Sequence, residues 1–201
     1  MPPPLRNFFL AAGLFVAAAI LTMAPARGAA DSAQSFIEHL GNEAVAVLQS
    51  DRPSAERQAM LEDLFRRGFD LDAIGRSVLG RYWKQATPEQ QAAYRQVYPD
   101  YVVRTYARQL ADETVSGFSI TGVRAVSDQE VLVETTIERL DGPALRYDWS
   151  VRSDAGEHKI TDIVVEGISL LTTQRADFAS IARVQGIDGL IQALKKKLAQ
   201  I

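Results

Sequence analysis

The chain of 201 residues contains no cysteine and only two histidines. Without a thiol it forms no disulfide, offers no thiolate nucleophile, and lacks the attachment point for the acyl chains of a bacterial lipoprotein. His39 and His158 show no metal-binding spacing, and we interpret both as surface residues. A G-x-S-x-G motif, a glycine-rich phosphate loop and a paired-carboxylate motif are also missing. The sequence therefore suggests no catalytic residue, no metal site and no cofactor.

A strong excess of basic charge is absent as well. The chain has 25 Asp and Glu residues against 22 Lys and Arg residues. A protein that binds nucleic-acid phosphates usually has a basic face, so we expect no nucleic-acid partner. Apolar residues make up 47% of the chain, which is enough for the core of one compact domain.

Residues 1–30 differ from the rest of the chain. Arg6 precedes an almost wholly apolar run over residues 8–23, and small residues follow it. The run of about 16 residues is shorter than the roughly 20 that a membrane-spanning helix needs. We therefore predict a cleaved secretory signal peptide, cut after Ala26 or Ala30, with an uncleaved anchor as the alternative. Because this segment holds Arg6, Arg27 and no acidic residue, its removal changes the net charge from −3 to −5.

Residues 31–115 show the periodicity of amphipathic helices. Asp31 or Ser32 is placed to cap the first helix and Asp70 the third, while Thr87 and Gln90 form a capping-box pattern. Pro99 is expected to kink the long fourth helix. The predicted helices span residues 31–49, 54–68, 71–78 and 88–112.

Residues 117–167 change to a two-residue period, which is typical of β-strands. Short polar links between them favour antiparallel hairpins. Tyr147 and Trp149 alternate with charged residues, so one face of that strand is aromatic. The four predicted strands span residues 118–126, 130–139, 144–152 and 159–166. Two helices, over residues 173–184 and 187–198, are expected to close the chain within residues 172–199, with Thr172 or Thr173 as the cap.

Helices followed by a meander of strands predict an α+β fold for a single domain over residues 31–201. We expect the helices to pack on one face of a twisted four-stranded antiparallel sheet, as in the cystatin/NTF2 type. A curved sheet covered by a long bent helix leaves space between the layers. Since Tyr, Trp, Val and Ile face that space, we predict an apolar cavity between the layers.

Two long blocks of the sequence resemble one family closely. Residues 69–110 contain the words LGRYW, ATPEQ and TYA in order, and residues 159–194 contain EGISLLTTQR followed by GIDGL. These blocks are similar to those of the MlaC/Ttg2D family of Mla and toluene-tolerance ABC transport systems, which includes the hopanoid-associated HpnM-like branch. Together they cover much of the chain after residue 30.

The resemblance implies a function that composition alone does not give. It predicts a periplasmic, non-enzymatic protein that binds phospholipid through its two acyl chains and carries it between the outer and inner membranes, which maintains outer-membrane lipid asymmetry. The implied partners are an inner-membrane ABC transporter complex with an MCE-type ring and an outer-membrane lipoprotein complex. A hopanoid or another apolar lipid is an alternative cargo.

Candidate binding residues follow from the predicted faces of helices and strands. Each apolar candidate is equally compatible with ordinary core packing. Three basic residues are candidates for contact with a lipid headgroup or a partner, since a guanidinium pairs well with phosphate. The apolar candidates are Tyr82, Trp83, Tyr101, Val102, Tyr106, Val131, Val133, Ile137, Tyr147, Trp149, Ile163, Val165 and Ile168, and the basic candidates are Arg81, Lys84 and Arg104.

Two other functions remain compatible with the sequence. A carboxylate facing an apolar cavity can act as a general base, so an NTF2-like enzyme acting on a small apolar ligand is one alternative. Asp148 should face away from Tyr147 and Trp149, whereas Asp162 should share a face with Ile160 and Val164. Asp162 is thus the better catalytic candidate, although a structural aspartate is more common. The third interpretation is an interaction module with a solid core and no ligand.

Overall fold

The computed structural model describes residues 25–201 except residue 155. Most of the predicted signal peptide, residues 1–24, lies outside the described residues. Within these described residues, six helices and five strands follow one another, with the first five helices before the sheet and the last one after it. They are α1 (Pro25–Leu48), α2 (Ser54–Gly68), α3 (Leu71–Leu79), α4 (Arg81–Gln85), α5 (Pro88–Ala111), β1 (Val115–Ala125), β2 (Glu130–Arg139), β3 (Leu145–Asp154), β4 (Glu157–Val165), β5 (Ile168–Ser169) and α6 (Leu170–Leu198).

The strands form one antiparallel meander in the order β1-β2-β3-β4-β5. This confirms the predicted α+β class and the meander, but the sheet has five strands and not four. The fifth strand has only two residues, of which Ile168 pairs with Val165. It forms because Glu166 and Gly167, with φ of 48° and 82°, reverse the chain tightly after β4.

Several helix starts agree with the predicted caps. The side chain of Asp70 accepts a hydrogen bond of 2.9 Å from the backbone N–H of Ala73 at the start of α3. Thr87 and Gln90 form the complete capping box of α5. Pro99 lies inside α5. These caps satisfy backbone groups that helix ends would otherwise leave unpaired.

Two predicted helix boundaries were wrong. The described part of helix α1 already includes Pro25, so the predicted caps Asp31 and Ser32 lie within the helix. Helix α6 begins at Leu170 and is capped by Ser169, whose side chain accepts from Thr172 N–H at 3.0 Å, one turn before the predicted cap at Thr172 or Thr173. The predicted break between two closing helices is present, because Gly186 adopts the non-helical φ 72° and ψ 179° inside α6.

Buried apolar residues form three clusters. The largest lies among α3, α5 and α6, where the rings of Tyr94 and Tyr98 stack with their centroids 5.2 Å apart. The second lies between α1 and the sheet around Val133 and Val151, and the third joins α1, α2 and α5 around Leu61. The second and third clusters meet along α1, and an apolar space lies between them.

Candidate functional site

An apolar cavity of about 420 Å³ lies between the sheet and helices α1, α2 and α5. Its wall takes side chains from every strand except β5 and from the start of α6. Almost all of them are aliphatic or aromatic, which is the usual character of a small-molecule site. The lining residues are Ile37, Leu40, Gly41, Ala44, Val45, Leu48, Leu61, Leu64, Phe65, Phe69, Tyr106, Gln109, Leu110, Glu113, Val115, Phe118, Ile137, Arg139, Leu145, Tyr147, Trp149, Ile160, Ile163, Val165 and Leu170.

Strand alternation supplies the sheet side of this wall. Tyr147 and Trp149 lie two residues apart on β3, so both face the helices, and their rings stack with centroids 5.8 Å apart. The indole Nε1 of Trp149 donates to the hydroxyl of the fully buried Thr135 at 2.8 Å. That hydroxyl in turn donates to the carbonyl oxygen of Tyr147 at 3.1 Å. Because the indole N–H is satisfied within the sheet, the ring presents an apolar surface to the cavity.

Close packing of α1 on β1 sets the helix side of the wall. A Cβ atom on Gly41 would lie 2.4 Å from the ring of Phe118, so a larger residue at position 41 would force that ring to move. Ala44, one turn further along α1, also lines the cavity. Gly41 thus allows the Phe118 ring to pack against the helix, and the small side chain of Ala44 leaves open a space that a larger side chain would fill.

Polar groups are concentrated at one end of the cavity. Arg139, the last residue of β2, pairs through Nη2 with Glu113 Oε2 at 2.9 Å. The Nε atom of Arg139 is buried and has no hydrogen-bond partner. The pKa of the nearby Tyr147 hydroxyl is raised, first by burial and then by Glu113, while Arg139 acts in the opposite direction. Within the described part of the chain, Arg139 and Glu113 are the only charged residues that line this cavity.

Tyr106 separates the main cavity from two smaller ones. Cavities of about 230 Å³ and 60 Å³ lie beside it, and both share Tyr106 and Leu170 with the main cavity. Burial raises the pKa of the Tyr106 hydroxyl, and Tyr101, Asp177 and Asp162 add to that shift. The neutral tyrosine and Leu170 thus form the partition between three adjoining spaces.

The structure brings six of the predicted apolar residues together around the main cavity and places the other seven elsewhere. Val131 and Val133 are buried in the neighbouring core beneath the cavity. Ile168, on the short edge strand, is 62% exposed, because β5 lies beyond the covered part of the sheet. The six lining residues are Tyr106, Ile137, Tyr147, Trp149, Ile163 and Val165, and the four that pack in the helical cluster are Tyr82, Trp83, Tyr101 and Val102.

None of the three predicted basic residues lines the main cavity. Arg81, Lys84 and Arg104 are all exposed, and the guanidinium of Arg81 lies 5.0 Å from the centre of the Tyr82 ring. Arg139 lines the cavity but was not among the residues predicted from the sequence, although the alternation of the strand indicates its position. Continuing the two-residue alternation of β2 from Val133 through Ile137 places Arg139 on the same face.

The aspartates considered as catalytic bases both have structural partners. Thr161 is an extra residue in β4, so Asp162 pairs opposite Ser150 while Ile160 pairs opposite Val151. The prediction that Asp162 shares a face with Ile160 was therefore wrong, because a β-bulge shifts the alternation.

The side chain of Asp162 accepts hydrogen bonds from the N–H groups of Ile163 and Leu171 and from the hydroxyl of Ser169, at 2.8, 3.1 and 2.6 Å. Asp148 is held by the Arg146 guanidinium through two hydrogen bonds of 2.9 and 2.7 Å. Neither carboxylate lines the main cavity. Asp162 instead fixes the turn that leads from β4 into α6.

The described residues contain no cluster of three or more His, Asp or Glu side chains that could hold a metal ion. Between residues 25 and 201, no helix has both the length and the apolar character required to cross a membrane.

His39 is exposed, as predicted, whereas His158 is partly buried. The ring of His158 packs against Phe36 and its Nδ1 hydrogen-bonds with the hydroxyl of Ser153 at 2.7 Å. The main cavity is thus an apolar cavity with polar groups at one end.

Proteins similar to this chain include two relatives of known name and one solved structure. The intermembrane phospholipid transport system binding protein MlaC of Haemophilus influenzae is 26% identical over 135 residues, 65% of this chain and 63% of the relative. Toluene tolerance protein ttg2D of Pseudomonas putida is 22% identical over 120 residues, 59% of this chain and 56% of the relative. The chain thus matches less than two thirds of the length of either relative. The phospholipid-binding protein of Ralstonia solanacearum, solved in complex with a phospholipid, superposes with a TM-score of 0.71 at 26% identity, over 84% of this chain and 97% of that one.

A family model described as MlaC protein matches residues 38–196. The match extends from the middle of α1 to the last turns of α6 and includes the whole sheet. The resemblance read from the sequence words is confirmed. By this match, the chain belongs to the MlaC protein family.

Proposed function

We propose that this protein is a periplasmic phospholipid carrier that moves lipid between the outer and inner membranes as the soluble component of an Mla-type ABC transport system. The observation that carries this proposal is the apolar cavity of about 420 Å³ between the sheet and α1, α2 and α5. The phospholipid-bound relative of similar fold supports the choice of ligand. A role without catalysis fits the hydrogen-bonded positions of Asp148 and Asp162.

The free energy of transferring acyl chains out of water favours temporary binding of a lipid in such a cavity. Each methylene group removed from water contributes about 0.8 kcal/mol, so two chains of roughly 16 carbons represent on the order of 25 kcal/mol of transfer free energy. A bilayer offers nearly the same gain to the same chains. The lipid is therefore held firmly against loss to water, yet its exchange with a membrane is close to balanced. Direction of transport then comes from the membrane partners and not from the carrier.

The remaining parts of the proposal follow from the sequence pattern of residues 1–30 and from the family resemblance. Residues 1–30 act as a cleaved signal peptide, and residues 31–201 form a single lipid-binding domain in the periplasm. The domain exchanges lipid with an inner-membrane ABC transporter complex that has an MCE-type ring and with an outer-membrane lipoprotein complex. Exchange in this pathway maintains outer-membrane lipid asymmetry.

The proposal is tested by filling the cavity. Ala44→Phe adds a phenyl ring to the wall, and a ring of that size requires a space of about 150 Å³. Ala46→Phe is the matched control, because Ala46 lies on the same helix but is exposed. After delipidation, we expect uptake of labelled phospholipid from vesicles to fall severalfold in Ala44→Phe and to remain unchanged in Ala46→Phe.

The outcome that contradicts the proposal is specific. If the delipidated unsubstituted protein takes up no stoichiometric phospholipid, the carrier function is wrong. If it takes up lipid and Ala44→Phe has no effect, the lipid lies outside this cavity. Extraction and mass analysis of the lipid that copurifies with the protein separates phospholipid from hopanoid.

A further inference from the structure

Arg139 has an unusual environment for a cavity residue. It is the only cation on the wall of the main cavity among the described residues, and its Nε atom is buried without a hydrogen-bond partner. Its Nη2 atom pairs with Glu113 Oε2 at 2.9 Å. We propose that Arg139 binds the phosphate of the carried phospholipid, and that Glu113 occupies the guanidinium when no phosphate is present. This inference rests on the proposed function and deepens it.

The hydrogen-bond geometry supports a second acceptor. A guanidinium has five N–H donors in a planar fork; Glu113 pairs with Nη2, and Nε has no partner. A buried N–H without an acceptor is unfavourable, and buried polar groups in folded proteins are nearly always paired. The two free oxygens of a phosphodiester match two neighbouring donors of the fork. A phosphate at Arg139 thus satisfies the donor that the protein leaves unpaired.

The position of Arg139 also suits a lipid with buried chains. Arg139 ends β2, and Ile137 precedes it on the same face of the strand, toward the apolar interior. Leu140, the next residue along the chain, is 68% exposed, so Arg139 lies at the border between the cavity and solvent. A phosphate held there leaves its headgroup substituent near water while the acyl chains enter the apolar part.

Charge determines the role of Glu113. Its side chain is 39% exposed, so the carboxylate can regain water when it leaves the guanidinium. A bound phosphate and the Glu113 carboxylate repel each other, because both are anions that compete for one cation. Removal of the Glu113 charge should therefore strengthen phosphate binding, whereas removal of the Arg139 charge should weaken it. The two substitutions are expected to have opposite effects.

This site would select among lipids by the presence of phosphate. Diacylglycerol has the same acyl chains as a phospholipid but no phosphate, so it gains from the apolar wall alone. The same holds for neutral polycyclic lipids such as hopanoids. A preference for phospholipid over diacylglycerol is thus the property that Arg139 supplies, separate from the general affinity for apolar chains.

The test compares two probes in the purified, delipidated protein expressed from the full-length gene. Vesicles contain either labelled phosphatidylglycerol or labelled diacylglycerol with identical acyl chains, and the equilibrium occupancy of the protein is measured. Arg139→Gln should reduce the preference for phosphatidylglycerol over diacylglycerol by about tenfold, since hydrogen bonds between charged groups are worth roughly that factor. Glu113→Gln should increase the preference. Arg124→Gln, an exposed arginine on β1, is the matched control and should change neither.

Each outcome supports or overturns the inference. An unchanged preference in both Arg139→Gln and Glu113→Gln overturns it and leaves the carrier function standing. A failure of the unsubstituted protein to take up either lipid overturns the carrier function as well. If Arg139→Gln does not fold, Glu113→Gln still decides, because a gain of preference cannot come from unfolding. Inorganic phosphate alone should bind too weakly to detect by calorimetry, and tight phosphate binding that is lost in Arg139→Gln would show that the site serves free phosphate instead of a lipid.

Discussion

The hydroxyl of Thr135 gives the most direct way to test how the cavity wall is built. It accepts from Trp149 Nε1 at 2.8 Å and donates to the carbonyl oxygen of Tyr147 at 3.1 Å. Thr135 is fully buried, so water cannot replace either bond. Thr135→Val keeps the shape of the side chain and removes its hydroxyl. The indole N–H is then left buried without a partner.

The expected loss follows from the cost of an unpaired buried donor. Leaving one such group unsatisfied costs about 1–3 kcal/mol. The Tyr147 carbonyl loses one of its acceptor interactions as well, so we expect Thr135→Val to lower the free energy of unfolding by about 2 kcal/mol. For a domain of this size, each kcal/mol shifts the melting temperature by about 2–4 °C, which predicts a decrease of roughly 4–8 °C.

Thr135→Ser is the matched control for this experiment. Serine retains the hydroxyl and loses one buried methyl group, whose removal costs about 1 kcal/mol. The two variants are compared by urea unfolding monitored through Trp fluorescence and by thermal melting of the delipidated protein. If Thr135→Val is as stable as the parent, or if Thr135→Ser is the less stable of the two, the argument that this hydroxyl is required to bury the indole is wrong.

Two further predictions concern the turn into α6 and the response to alkaline pH. Asp162→Ala should lower the free energy of unfolding by about 1–3 kcal/mol, because it leaves partly buried N–H groups unpaired, while Asp162→Asn keeps one acceptor oxygen and should lose less. Lipid uptake at low temperature should survive both changes, and loss of uptake in Asp162→Asn would contradict a purely structural role. Burial raises the pKa of Tyr94, Tyr98 and Tyr106 above the ordinary value near 10, so the folded state holds protons that the unfolded state releases above that pH. These groups should therefore leave the free energy of unfolding unchanged up to about pH 9.5 and lower it as the pH rises further. A urea midpoint that does not change between about pH 9 and pH 11 would refute this prediction.

Local signals in the sequence were sufficient for much of the fold. The caps at Asp70 and Thr87 depend on side chains that bond to backbone groups within three residues, so the pattern predicts them without tertiary information. The hairpin order of the sheet followed for the same reason, since short polar links permit little else. The break predicted between residues 184 and 187 falls at Gly186, whose φ of 72° is one that other residues rarely adopt.

Other features depended on contacts between distant residues. The bulge at Thr161 moved Asp162 off the face of Ile160, and a period count cannot detect a bulge in a strand. Ser169 became the cap of α6 because β5 and the Glu166–Gly167 turn place its hydroxyl beside both Asp162 and the N–H of Thr172. These positions are fixed by pairing with β4, which no local pattern encodes.

The candidate site shows the same division between local and tertiary information. The sequence by itself determined which side chains are apolar and which of them alternate on one face, so Tyr147 and Trp149 were predicted together and lie together in the wall. It could not separate lining from core, because Val133 and Ile137 share a face and a residue type. Only tertiary packing decided that α1 lies close over Val133 and leaves space over Ile137. The same packing brought Glu113, which follows α5, to Arg139, at the end of β2, since an ion pair between separate parts of the chain depends on where the helix docks on the sheet.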